Sequence, residues 1–431
     1  MDQPHALLVA SPGLGHLIPI LELGNRLSSV LKIHVTILAV TSGSSPIETE
    51  AIRAAVARGT CEVRELPSID IDHSPDATVP TKIIEMMRAT KTKTAVQDAV
   101  KSMNRKPTVM IIDIFGTGLM SIADDIGVNA TYVYVPSHAW FLAVVVYTPV
   151  LDRVVEGEYT DIKEPMKIPG CRPVGPDELL ETMLDRSNPQ YRECMREDGE
   201  LSRVMKAPVY GIGPIVRSSG PTEKADNILE WLDKQPDKSV VFVCLGSGGT
   251  LSLEQTMELA YGLDLSGQRF LWVLRRPTSY LGASSSDDGQ VSAGLPEGFL
   301  DGTRGVGLVV TQWAPQVEIL SHGSIGGFLS HCGSSVLESL TKGVPIVAWP
   351  LYDERRHRCG RSYVGVTSKR VIGREEVATF VRKIMVEEDE EGQKVRAKAE
   401  EVRASSERAR AQGGSSYRSH FEWAKQCRLV S

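Results

Sequence analysis

The amino-acid sequence predicts an α/β fold: two Rossmann-like, doubly wound domains facing each other across a cleft. Short continuous apolar runs recur along the chain, as parallel strands buried on both faces require. Each run is followed by Gly, Pro or Ser and then a helix-like stretch, the alternation that builds βαβ units with right-handed crossovers. At 431 residues the chain also exceeds one ordinary core, so two or three domains are expected.

In the first half the predicted strands are Ala6–Ala10, Ile33–Val40, Val109–Phe115 and Thr131–Val135. In the second they are Val240–Leu245, Phe270–Leu274, Gly307–Val310, Gly326–Leu329 and Val344–Trp349. Between the halves, Gly213–Asn227 (GPIVRSSGPTEKADN) is rich in Gly, Pro, Ser and charge and nearly lacks an apolar period, so it reads as a linker. Residues 1–212 then form an N-terminal domain and residues 228–431 a C-terminal one. Arg374–Cys427 is predicted helical: GREEVATFVRKIM carries an i, i+3, i+4 apolar pattern, and the Glu/Lys/Arg-rich stretch after it is a solvated face.

Composition excludes several classes. With 42% hydrophobic and 24% charged residues the chain is of ordinary soluble globular type. A net charge of −6 offers no electrostatic reason to expect nucleic acid or an anionic membrane as partner. Seven scattered cysteines with no CxxC pair argue against a disulfide framework or a zinc site, and for a reducing compartment. The N-terminus MDQPHALLVASPG lacks the basic and long apolar regions of a signal peptide. No run approaches the roughly 18 apolar residues of a membrane span, so a cytoplasmic protein is expected.

Ligands of open α/β sheets bind beyond the carboxyl ends of the strands, so chemistry is sought in those loops. The first is Ser11-Pro12-Gly13-Leu14-Gly15-His16. Its glycines permit close backbone approach, but the third glycine of a dinucleotide fingerprint would fall at Ile18. What remains is His16 at the mouth of the cleft, a general base or simply a hydrogen-bonder at a helix start. Asp113 ends an apolar run and is costly there unless paired. It either caps a helix from Thr117 or holds His16 in one tautomer. Gly246-Ser247-Gly248-Gly249-Thr250 follows a buried strand and suits an anion, though it lacks the Lys of a nucleotide-hydrolysing loop. Asp70-Ile71-Asp72 spells a DxD, but in a polar, Pro-flanked stretch it reads as solvated loop, and no metal site is expected.

The longest signal is WAPQVEILSHGSIGGFLSHCGSSVLESLTKGVPIVAWPLYDER, from Trp313 to Arg355. It closely resembles the signature box of plant family-1 UDP-glycosyltransferases. SPGLGH, the FGT after Asp113, GSGGT and the tail SSYRSHFEWAKQC are similar to that family too, and the phenol or hydroquinone glucosyltransferases are the nearest branch. The resemblance implies a GT-B fold whose final helix packs back on the N-terminal domain. It implies an inverting, metal-independent O-glucosyltransferase acting on small phenolic or other plant secondary-metabolite acceptors. UDP-glucose would be its donor substrate, with no cofactor, and the protein a monomer.

For the site, the resemblance implies that Trp313 stacks on uracil, with Ala314 in the same donor set, and that Gln316 helps hold the uridine. Glu338 accepts from both ribose hydroxyls, work suited to a carboxylate. His331, Ser335 and Ser247 contact the diphosphate, and Gly333 to Ser335 open a helix whose N-terminus faces it. Glu354 and Arg355 stand where the sugar hydroxyls are gripped. His16, oriented by Asp113, takes the acceptor proton. Ser137 and Trp140 in SHAWF line the acceptor pocket or belong to ordinary core.

Three departures from the family pattern stand out. Where the family reads HCGWNS, this chain reads His331-Cys332-Gly333-Ser334-Ser335, losing a phosphate-bonding Asn and one residue at a helix start. Such a deletion rotates the downstream helix by about 100° relative to the loop unless the turn absorbs it. Arg355 replaces a Gln, exchanging a donor–acceptor amide for a donor-only cation that weakens glucose binding or admits an acidic sugar. The chain is also short between Tyr191 and Pro208 and over residues 356–371. These departures keep a second reading open: a transferase-like protein that binds UDP or a phenolic with weak or no catalysis.

Overall fold

Alternate residues of the first strand feed two different cores, which is why its sequence is apolar without a break. In β1 (His5–Ala10), Ala6, Leu8 and Ala10 join one cluster, while Leu7 and Val9 join another. The structure, a computed structural model, describes residues 4–41, 46–69, 79–176, 179, 183–187, 191, 195, 208–217, 226–246, 251–275, 294–349, 363–365 and 371–430.

β1 is the middle strand of a parallel sheet with β2 (His34–Ala39), β3 (Glu62–Glu65), β4 (Val109–Asp113) and β5 (Ala130–Tyr134), in the order β3-β2-β1-β4-β5. One face is covered by α1 (Leu14–Leu31) and α2 (Pro46–Arg58). The other is covered by α3 (Val79–Arg88), α4 (Thr90–Lys101) and a 3₁₀ helix, Ile114–Ile122. α5 (Ala139–Val154) follows β5 and builds a smaller cluster of its own.

The second sheet is also parallel: β6 (Val240–Cys244), β7 (Arg269–Val273), β8 (Gly307–Val310), β9 (Ile325–Ser330), β10 (Ile346–Ala348) and β11 (Tyr363–Gly365), ordered β11-β10-β9-β6-β7-β8. Val241 and Val243 face one core and Val240 and Phe242 the other, repeating the pattern of β1. Its helices are α6 (Asp226–Asp233), α7 (Leu253–Ser266), α8 (Phe299–Gly302), α9 (Gln316–Ser321), α10 (Ser335–Thr341), α11 (Arg374–Met385) and α12 (Glu390–Arg410). The last helix, α13 (Ser415–Gln426), belongs to the first sheet's core instead, through Trp423 and Ala424.

The chain thus divides into two compact units. Unit 1 holds Met1–Ile215 and Arg410–Ser431; unit 2 holds Val216–Tyr280 and Ser284–Ala409. In both, the order of strands reverses beside the first strand of the sheet: between β1 and β4, and between β6 and β9. Loops diverge there and leave a crevice beyond the carboxyl ends.

The α/β, doubly wound class expected from the sequence is the observed one. Two boundaries are corrected. The strand expected to reach Phe115 stops at Asp113, and the helix expected from Thr117 begins at Ile114. Asp113 is the reason, because its Oδ2 accepts from the Phe115 N–H at 3.3 Å and turns the chain out of the sheet. β3 has no apolar run to mark it; its sequence, EVRE, is polar because it lies at a sheet edge. Among the described residues no helix is long and apolar enough to cross a membrane.

Candidate active site

The crevice of unit 1 is built by Gly13. Its φ of +94 lets the chain leave β1 and enter α1 within three residues, and its N–H donates to Glu48 Oε1 at 2.6 Å. Glu48 is a buried carboxylate on α2. His16 then falls in the first turn of α1, next to the strand that ends in Asp113. His16 Nδ1 lies 2.9 Å from Asp113 Oδ2 and 3.1 Å from Oδ1. The carboxylate is fully buried, whereas the imidazole is 22% exposed. Its ring rests on Phe115, with centroids 4.4 Å apart.

This geometry assigns the proton. A carboxylate can only accept, so Nδ1 carries a hydrogen, and in the neutral imidazole Nε2 is then the nitrogen with the lone pair. Asp113 is at once the cap of the 3₁₀ helix and the partner of His16, so the two readings of that residue coexist. Across the ladder stands Tyr134, whose phenol is pushed up by burial and then by the Asp113 charge, and stays neutral.

In unit 2 the crevice collects residues from three loops. Trp313 follows β8 and is 39% exposed, unusual for so large an apolar side chain. Gln316 opens α9, and its Nε2 donates to Glu338 Oε2 at 2.5 Å. Glu338 lies in the first turn of α10 and is nearly buried. Ala314 points its methyl into the core, which leaves its backbone polar groups as what it can offer. Ser335 Oγ meets Ser330 Oγ at 3.0 Å, and both are buried.

His331 is clasped by glycines from the two loops that diverge at the switch point. A Cβ placed on Gly246 would stand 2.3 Å from the imidazole Cε1, and one on Gly333 would stand 2.4 Å from Nε2. Both positions must be glycine for the ring to sit there. In the shortened turn, Cys332 takes φ +61, a left-handed conformation uncommon outside glycine, and α10 begins at Ser335.

Four side chains here carried little or no signal in the sequence. Glu48 and Phe115 brace His16, and neither contact is legible without the fold. Arg217 and Arg275 place their guanidinium carbons 5.9 Å and 5.5 Å from the centre of the Trp313 ring. Arg275 closely follows a predicted strand, where ligand contacts are expected, but Arg217 lies in the stretch read as linker. Burial pushes the nearby Cys244 thiol up.

Around SHAWF, His138 caps α5 by accepting from the Phe141 N–H at 3.0 Å. Ser137 Oγ is buried with no hydrogen-bond partner among the described residues. Trp140 packs against the cluster of Val144, Leu151 and Met166, with Arg172 over its ring at 5.5 Å. Ser247, Glu354, Arg355 and Asp70–Asp72 lie outside the described residues, as do most of the shortened stretches. Among the described residues no group of three or more His, Cys, Asp and Glu is placed to hold a metal ion.

The family model for UDP-glucoronosyl and UDP-glucosyl transferases matches residues 217–372. UDP-glycosyltransferase 72D1 of Arabidopsis thaliana is 69% identical over 471 aligned residues, with all of both chains covered. That span exceeds the 431 residues present, so the relative has residues where this chain has none. The hydroquinone glucosyltransferase of Rauvolfia serpentina is 37% identical, over 98% of this chain and 97% of its own. Among solved structures, TcCGT1 in complex with UDP is 35% identical with a TM-score of 0.88, over 99% of both chains. Phytolacca americana UGT2 with UDP-2fluoro-glucose and pterostilbene is 33% identical with a TM-score of 0.84, again over 99% of both.

Proposed function

The chain belongs to the family-1 plant UDP-glycosyltransferases, and on that premise we propose that it transfers glucose from UDP-glucose to the hydroxyl of a small phenolic acceptor. The observation that carries this reading is the His16–Asp113 pair: a partly exposed imidazole held at 2.9 Å by a fully buried carboxylate. A phenol needs a base to become a nucleophile, and Nε2 of a ring fixed at Nδ1 is one.

The phenolic proton passes to His16 Nε2 as the oxygen attacks the anomeric carbon from the face opposite the diphosphate. The new C–O bond forms while the bond from that carbon to the diphosphate oxygen breaks. Configuration inverts and UDP departs. Asp113 stabilises the imidazolium that results. In unit 2, Trp313 takes the base face-on, and Glu338, aligned by Gln316, accepts from the ribose hydroxyls. His331 and the amides opening α10 neutralise the charge gathering on the diphosphate, so the reading calls for no metal ion. Ser137 offers an unused hydroxyl for the acceptor side. The same reading has the protein working as a monomer in the cytoplasm.

The test is purified protein with several UDP-sugars and a panel of phenols, with products identified by mass and UDP affinity measured by calorimetry. A phenolic glucoside formed from UDP-glucose is expected. UDP binding without product would replace the proposal with the binding-only reading, to which the residue lost after His331 points. No association with UDP would end the transferase proposal and leave only the binding of a phenolic.

A further inference from the structure

Arg217 makes two contacts that a nucleoside would make. Its guanidinium carbon stands 5.9 Å from the centre of the Trp313 ring, and its Nε stands 3.7 Å from Glu338 Oε1. The other oxygen of Glu338 is taken by Gln316. The proposed function gives those same two partners to uridine, with the base on the indole and the ribose hydroxyls on the carboxylate. A guanidinium is flat and edged with donors, so it answers both demands in miniature.

The two arginines over Trp313 are held differently. Arg275 lies two residues past β7, and burial disfavours its charge. Arg217 is 27% exposed; its Nε is buried without a hydrogen-bond partner and faces Glu338 across an ion pair too long for one. Arg217 meets Glu338 only across 3.7 Å and Trp313 only through a ring contact, so it can leave at small cost. It is also the second residue of unit 2, just past one of the places where the chain passes between the units.

We propose that Arg217 is a built-in competitor of the donor nucleoside, occupying Trp313 and Glu338 when the site is empty and giving way when UDP binds. It thereby sets donor affinity without taking part in transfer. The inference rests on the assignment of Trp313 and Glu338 to uridine. A partly exposed ion pair and a cation–π contact are each weak, so removing the competitor tightens binding by roughly three- to tenfold.

The experiment is calorimetric titration of UDP into the full-length wild-type protein, Arg217→Ala and Arg217→Lys, at low and high salt, with folding checked by circular dichroism. Arg217→Ala is expected to bind UDP about three- to tenfold more tightly than wild type. Arg217→Lys keeps the charge without the planar fork and is expected to fall between them. Added salt should narrow the gap by screening the ion pair. Equal or weaker binding by Arg217→Ala in a folded protein overturns the proposal, because Arg217 would then be idle or a direct UDP contact. Failure of the wild type to bind UDP would overturn the nucleotide site itself, and the competitor with it.

Discussion

His16 and Asp113 differ in burial, and that difference divides their labour. The carboxylate is shut away where its charge has no water to face, so it spends its acceptors on the imidazole and on the Phe115 N–H. Replacing His16 with Ala should therefore lower transfer by about 10²- to 10⁴-fold while leaving UDP affinity unchanged, since the uridine contacts proposed lie in unit 2. Single-turnover rates and calorimetry check this, and a variant that keeps most of its rate would remove His16 as the base. A second residue-scale prediction concerns pH. His5 and His420 are buried, and desolvation lowers each to about 4. In the unfolded chain each titrates near 6.5, so between those values the unfolded state binds more protons. Their contribution to stability is whole above pH 6.5 and is lost as pH falls through 4. Each histidine supplies on the order of 3 kcal/mol at most. Urea midpoints should fall across that window, less steeply in His420→Gln, and a flat profile would contradict the burial argument. His16 and Asp113 were legible because polar residues at the ends of apolar runs are conspicuous. Glu48 was not, because its contact with Gly13 exists only once α2 has returned to β1.

At the scale of elements, the crevice of unit 2 depends on how closely the loops after β6 and β9 approach. Adjacent parallel strands bring those loops together, and the gap is filled by one imidazole. Gly333→Ala would drive a methyl to 2.4 Å from His331 Nε2, so ring or turn must shift. Overpacking of this kind costs about 1–3 kcal/mol. The expected result is a modest loss of thermal stability with a larger loss of UDP affinity, because His331 is displaced. Gly246→Ala should be worse, since φ there is +78 and the added carbon would lie 2.3 Å from the same ring. Unchanged UDP binding in Gly333→Ala would mean that the position of His331 does not matter to the nucleotide. The strands of this unit were readable as apolar runs because both faces of the sheet are covered. β3 escaped notice for the opposite reason: an edge strand of Glu, Val, Arg and Glu shows no such run. The boundary between β4 and the 3₁₀ helix is hidden for another reason: Ile114 and Phe115 prolong the apolar run past the strand, and only the Asp113 cap marks where it ends.

At the scale of the molecule, the apolar period of Arg374–Cys427 announces helices but not which unit covers each. α11 and α12 serve the second core, whereas α13 crosses to the first. Trp423, Ala424 and Leu429 are buried there with Leu17, Leu23 and Leu27 of α1, the helix that carries His16. Polar contacts fix the same seam. Ser416 Oγ donates to the Ile212 carbonyl at 2.7 Å, Tyr210 hydrogen-bonds Gln426, and Trp423 meets Tyr132 edge-on at 5.9 Å. The end of the chain is thus part of the support of the proposed base, although it is almost the whole sequence away from it. Trp423→Ala should leave a cavity against α1 and cost about 3–5 kcal/mol. Because the two cores are separate, the loss should fall on unit 1. Calorimetric melting and limited proteolysis should show unit 1 opening at lower temperature while unit 2 keeps both its transition and its affinity for UDP. Transfer should fail along with unit 1, since α1 loses the packing that holds His16 against Asp113. An unchanged melting profile, or loss of UDP binding before loss of transfer, would show that α13 does not support the first unit in this way.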